Sequence, residues 1–200
     1  MATRNLTAPR FPVVTLSYPP DQFVFEHQEF RFDTDVDIHR VLSMLKSYTA
    51  MMDDFCAGRN VMSASVLIDH RNNAQHALLS LPPRGGTAEC YRLTALIYSL
   101  LVTFPLPYNA SPLSSLVTQL KTALAAWHDG DEILLWALTI GGIAAIGLEE
   151  RDWFTNSFRR AVSRIGVGSW DEAREIIKRG LWLGATNDGD GYDLWHESQT

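Results

Sequence analysis

The chain has 200 residues, 46% hydrophobic and 20% charged, which is enough apolar mass for a packed core and excludes global disorder. Seventeen Lys and Arg stand against 23 Asp and Glu, and the net charge of -6 excludes nucleic-acid binding by broad phosphate neutralisation. The two cysteines, Cys56 and Cys90, exclude a disulfide scaffold and a four-cysteine zinc site.

The N-terminal segment has no apolar run of the kind a secretory signal requires. Pro9, Pro12, Pro19 and Pro20 exclude a helix there. Phe23, Phe25, Phe30 and Phe32 sit in β-prone surroundings and read as an extended arm over residues 1–34, offered as a contact surface. Asp33, Thr34 and Asp35 then supply side chains that can cap a helix.

From residue 35 onward the apolar residues recur at three and four. Ile38, Val41, Leu42, Leu45, Thr49 and Met52 form the stripe of a first helix, with Gly58 as its stop. A second helix is expected over 61–81, with a break near Asn72 and Asn73. Pro82, Pro83, Arg84, Gly85 and Gly86 make the clearest linker. A third helix over 87–104 is apolar on nearly every face in its second half, and Pro105 and Pro107 end it. Ser111 as N-cap and Pro112 at the first helical position open a fourth, whose inner stripe runs through Leu113, Leu116, Val117, Leu120, Leu124 and Trp127. The fifth, 133–148, carries no charge. At about 1.5 Å per residue it spans roughly 24 Å, short of the roughly 30 Å of a bilayer core, so it reads as a helix buried on all sides. Gly141 and Gly142 in its middle cost about 1 kcal/mol each against Ala, and close helix approach is the expected compensation. A sixth helix from about Glu149 buries Trp153, Phe154, Phe158, Val162 and Ile165 and ends at Gly166. Ser169 with Glu172 forms a capping box for a seventh. Asn187, Asp188, Gly189, Asp190 and Gly191 read as a turn-rich tail. The expectation is an all-α, irregular array of six to seven helices around one core, as a domain over 35–200.

No catalytic, cofactor or metal constellation emerges. None of the six histidines forms a His-x-x-x-His pair. A calcium loop begun at Asp188 fails at its sixth position, Asp193, and its twelfth, Gln199. Cys90 lies in a first helical turn, where an exposed thiol would ionise readily, but a buried structural thiol is the simpler reading. Gly166, Val167, Gly168 and Ser169 resemble an anion cradle, but the two acidic residues that follow oppose an anion. Arg159, Arg160 and Arg164, with Arg174, Lys178 and Arg179, form a basic strip nearly neutralised by acidic neighbours. All six tryptophans fall in the second half, where core packing is the first explanation. The alternative is an apolar ligand pocket between helices drawn from Trp136, Trp153, Trp182 and Tyr98, in a small-molecule-binding protein or enzyme.

A family resemblance sharpens this. The run Cys90, Tyr91, Arg92, Leu93, Thr94, Ala95 and Leu96 is similar to the opening helix of the fungal-specific transcription factor regulatory region. Leu134 to Leu138 with Gly141 and Gly142, then Glu150 to Phe154, then Ser169 to Glu172 running to Trp182, and finally Leu194 and Trp195, resemble further pieces of it in the same order. The resemblance covers residues 89–197. It implies a non-enzymatic helical regulatory domain, nuclear or cytoplasmic, acting through a protein partner, self-association or a small effector, with no cofactor and no membrane. In that family the region follows a six-cysteine zinc module. With only two cysteines, this chain is expected not to contact DNA directly in that way.

Overall fold

Every element in the computed structural model is a helix, and the residues it describes are 36–59, 63–108, 111–127 and 132–200. Helix α1 (Val36–Cys56) buries Ile38, Val41, Leu42, Leu45, Tyr48, Thr49 and Met51 on one face. Its inward methionine is Met51, one position before the Met52 of the expected stripe. Gly58 beyond it takes a left-handed φ of +66°, which glycine adopts without a Cβ clash. Helix α2 (Ala64–Ser80) starts at Ser63, whose hydroxyl accepts the Val66 N–H, and lies against α1. It runs unbroken through Asn72 and Asn73. Only Leu67, Ala74 and Leu78 are buried, so its polar middle is a surface face and no break is needed.

Helix α3 (Gly86–Tyr98) buries every residue from Leu93 to Tyr98 and then loosens into a π-helical turn, Ser99–Thr103. There the Phe104 N–H reaches the Ser99 carbonyl, five residues back, at 2.8 Å. Helix α4 (Ser111–Ala125) packs its Leu113, Leu116, Val117, Leu120 and Leu124 stripe inward. Trp127 lies just past its end, half-buried, with its ring edge-on to Tyr91 at 5.7 Å.

The centre of the molecule is α5 (Glu132–Ala144), buried at every residue from Leu134 onward. Helices α3, α4, α6 (Arg151–Ile165), α7 (Trp170–Ile177) and α8 (Gly184–Gln199) all pack on it. That surround is why its sequence has no polar face. The paired glycines permit the closest of these approaches. A Cβ on Gly141 would stand 2.7 Å from Phe154 Cζ of α6 and 3.0 Å from Leu120 Cδ2 of α4; one on Gly142 would stand 2.7 Å from Leu194 Cδ2 of α8. Gly166 caps α6 with a left-handed φ of +78°, and the Ser169 hydroxyl accepts the Glu172 N–H to open α7.

The described residues contain eight α-helices and no strand, one helix more than expected. The extra one is α8, formed by the segment read as a turn-rich tail. Its glycines pack instead of turning. A Cβ on Gly191 would meet the Trp170 and Trp182 Cη2 atoms at 2.7 and 2.8 Å. Asn187, 1% exposed, accepts the Leu183 N–H through Oδ1, and Leu194 is fully buried. Tertiary packing overrides weak local helix propensity here.

Candidate functional site

The aromatic residues singled out as a pocket each have partners within the fold. Tyr98, on α3, is fully buried and hydrogen-bonds Thr49 of α1 at 2.8 Å; Thr49 donates in turn to the Leu45 carbonyl. Burial raises the Tyr98 phenol well above its ordinary range. Trp136, on α5, is fully buried and donates its indole N–H to the Leu181 carbonyl at 3.0 Å. Gly180 passes so close that a Cβ there would stand 2.7 Å from the Trp136 ring. Trp182 donates to Asp188 Oδ1 at 2.8 Å and leans on Trp170 at 6.4 Å. Trp153, half-buried on α6, sits edge-on to Phe154 at 5.0 Å. The four are thus engaged by four different sets of neighbours. The contact arm, Phe23, Phe25, Phe30 and Phe32, lies outside the described residues.

A polar node joins α7 to α8. Arg174 grips Asp188 with two parallel bonds, Nε to Oδ1 at 2.9 Å and Nη2 to Oδ2 at 2.5 Å, and Trp182 adds a third donor. Burial pushes the Asp188 carboxyl up, but the hydrogen bonds from Arg174 and Trp182 with the nearby Lys178 outweigh it, and the net shift is downward. Asp190 accepts the Tyr108 hydroxyl. Asp188 and Asp190, the first two carboxylates of the rejected calcium loop, are therefore engaged by protein donors, and among the described residues no cluster of His, Cys, Asp and Glu could hold a metal. A second node ties α6 to α8 and α5. Arg151 donates to Glu197 at 2.8 Å and to the Gly142 carbonyl at 2.5 Å. The Arg151 bond and charge hold the Glu197 carboxyl below its usual range. The α5 carbonyl reached by Arg151 lies in the last turn, where a cation is favoured.

The basic strip is largely tied up internally. Arg159 donates to the Ser198 carbonyl, Arg160 to Ser157, Lys178 to Glu175 and Arg179 to Glu132. The anion cradle is filled by the protein itself, since Glu172 Oε2 accepts the Gly168 N–H at 2.8 Å. An open groove of about 510 Å³ lies beside it, with Ile165, Val167 and Ile176 as apolar lining and Asp171, Glu172 and Glu175 among its polar residues. Cys90 is buried and burial pushes its thiol up to about 11, whereas Cys56 is exposed. No helix among the described residues is long and apolar enough to cross a membrane.

A family model for the fungal specific transcription factor domain matches residues 31–198. The chain belongs to this family. No curated protein and no solved structure gives a significant match. The domain takes in α1 and α2 as well as the 89–197 stretch in which the sequence resemblance was legible, so the transcription factor domain here is the whole helical array. Within this domain, sequence reasoning weighed Asp188 only as a turn and a failed calcium ligand, and missed Arg151 as a tie between helices. Asp188 and Arg151 could have been found only through partners distant in sequence.

Proposed function

We propose that this fungal transcription factor domain regulates transcription in the nucleus through contacts with a protein partner, with a second copy of itself or with a small effector, and catalyses no reaction. The match over residues 31–198, spanning all eight helices of one core, carries this reading. It is supported by the use of the tryptophans, whose rings and indole N–H groups serve the packing of the fold. The net charge of -6 supports a role without direct nucleic-acid contact by this chain. The aromatic arm with Phe23, Phe25, Phe30 and Phe32 is the proposed contact segment, because aromatic side chains supply much of the binding energy of protein interfaces.

Sedimentation velocity over a concentration series tests the contact reading, on the full chain and on a chain lacking residues 1–34. The reading predicts concentration-dependent association that weakens when the arm is removed. A full chain that stays monomeric throughout and binds no partner that the shortened chain fails to bind would contradict it.

A further inference from the structure

The packing of the fold leaves an open groove between the end of α6 and the outer side of α7. Gly166 caps α6 in the left-handed conformation, and the chain turns and enters α7 at Ser169. That turn sets Ile165 and Val167 beside Ile176 as a half-buried apolar floor, in a groove of about 510 Å³. The rim is acidic, with Asp171, Glu172 and Glu175 exposed along it. Among the described lining residues only Arg179 is cationic, and its charge is taken up by Glu132. Lys178 reaches Glu175 at 3.0 Å, but the pair is exposed and worth little against solvent. The groove therefore combines room, apolar surface and excess negative charge, which suit a basic, partly apolar segment.

The sequence supplies such a segment. Residues 1–20 carry Arg4 and Arg10 and no acidic residue, whereas the other 180 carry 15 Lys and Arg against 23 Asp and Glu. Within it runs Pro9-Arg10-Phe11-Pro12-Val13-Val14, a cation set among apolar side chains. Pro9 and Pro12 exclude a helix, so the run offers an extended strip of the kind that open grooves accept. It lies outside the described residues, and the described ones fix how far it must reach. Lys46, midway along α1, donates to the Arg179 carbonyl at 3.0 Å, so α1 runs beside one end of the groove. From Lys46 back to Val36, where α1 begins, is about 15 Å of helix. The 26 residues from Arg10 to Asp35 span up to about 85 Å when extended, several times that distance.

We propose that residues 9–14 dock in the α6–α7 groove of their own chain, with Phe11 and Val13 on Ile165, Val167 and Ile176 and with Arg10 against Asp171 and Glu175. Alternation along an extended strip puts Phe11 and Val13 on one side. Tethering supplies an effective concentration of about a millimolar, so a contact too weak to hold two separate molecules is populated within one. The proposal goes beyond the regulatory reading and does not rest on it, and it concerns a different stretch from the Phe23 to Phe32 contact segment.

Limited trypsin digestion of the native full chain, read by mass spectrometry at the Arg10–Phe11 bond, tests it. Two variants supply the undocked reference. Asp171→Lys with Glu175→Lys reverses the rim, and Val13→Ser with Val14→Ser removes apolar contact without altering any helix. Cutting at Arg10 is expected to be about fivefold slower in wild type than in either variant, which is the protection given by a contact of a few tenths of a millimolar at that effective concentration. The factor is expected to be independent of protein concentration and to shrink in about 1 M sodium chloride, where charges are screened beyond about 3 Å. Equal cutting of wild type and the Val13 and Val14 variant would overturn the proposal, even if reversing the rim unfolds the protein. Protection that grows with protein concentration would overturn it too, because the occupant would then come from a second copy. Sedimentation reads the contact segment separately, so either result removes this proposal alone.

Discussion

Replacing Gly141 with alanine sets two opposed effects against each other inside α5. Glycine in a helix interior costs about 1 kcal/mol against alanine, so propensity alone makes the substitution stabilising. The new methyl, however, would stand 2.7 Å from Phe154 Cζ, closer still to Cε1, and 3.0 Å from Leu120 Cδ2. Phe154 and Leu120 are both fully buried, so neither can swing into solvent. Overpacking of this kind costs typically about 1–3 kcal/mol. The balance is a net loss of about 0–2 kcal/mol, and the complete burial of both neighbours places the expectation in the upper half of that range. In a chain of this size 1 kcal/mol moves the melting temperature by about 2–4 °C. Urea unfolding followed by tryptophan fluorescence gives the free energy directly. In a Phe154→Leu background the ring is gone, and Gly141→Ala is expected to cost less or to stabilise, with a coupling of about 0.5–3 kcal/mol. A Gly141→Ala single variant about 1 kcal/mol more stable than wild type would refute the close approach of α5 and α6.

Four further outcomes follow from particular contacts. Thr49→Val strands the buried Tyr98 hydroxyl and is expected to cost about 1–3 kcal/mol, whereas Tyr98→Phe removes only one bond and costs about 0.5–1.5 kcal/mol. Equal losses for the two in chemical denaturation would contradict the donor assignment. Asp188→Asn weakens the Arg174 pair; with about a third of that pair exposed, solvent screening holds the expected loss near 1–2 kcal/mol at neutral pH. The Asp188 carboxyl is depressed in the fold, so its stabilisation is present above the unfolded-state value and fades as pH falls through the folded one. Stabilities of wild type and variant measured down the acid range should therefore converge, and a constant gap would count against the pair. Native protein is expected to show one fast thiol toward a disulfide reagent at neutral pH, Cys56, with Cys90 reacting only on unfolding.

The amphipathic helices were legible because their apolar residues recur at helical spacing: the α4 stripe from Leu113 to Leu124 is the one the structure buries. The all-round apolar run of α5 announced a central helix, and its glycine pair announced close packing, although not that Phe154 and Leu194 would occupy the space. The α8 segment was not legible. Asn187, Asp188, Gly189 and Gly191 favour turns locally, and what makes them helical is Arg174, Trp170, Trp182 and Gly142 on other elements. The family was readable only over 89–197, where Trp and Gly pairs mark the helices; α1 and α2 offer apolar stripes that many helices share.

The regulatory role itself is tested most directly by tethering the full chain to an unrelated DNA-binding module upstream of a reporter in fungal cells. Reporter output is compared with that of the module alone and of a tethered variant carrying both Gly141→Ala and Gly142→Leu, whose core cannot close. The account predicts that the wild-type chain shifts the output up or down and that the core variant loses the shift. An output identical for all three, with the tethered proteins present at equal levels, would contradict it.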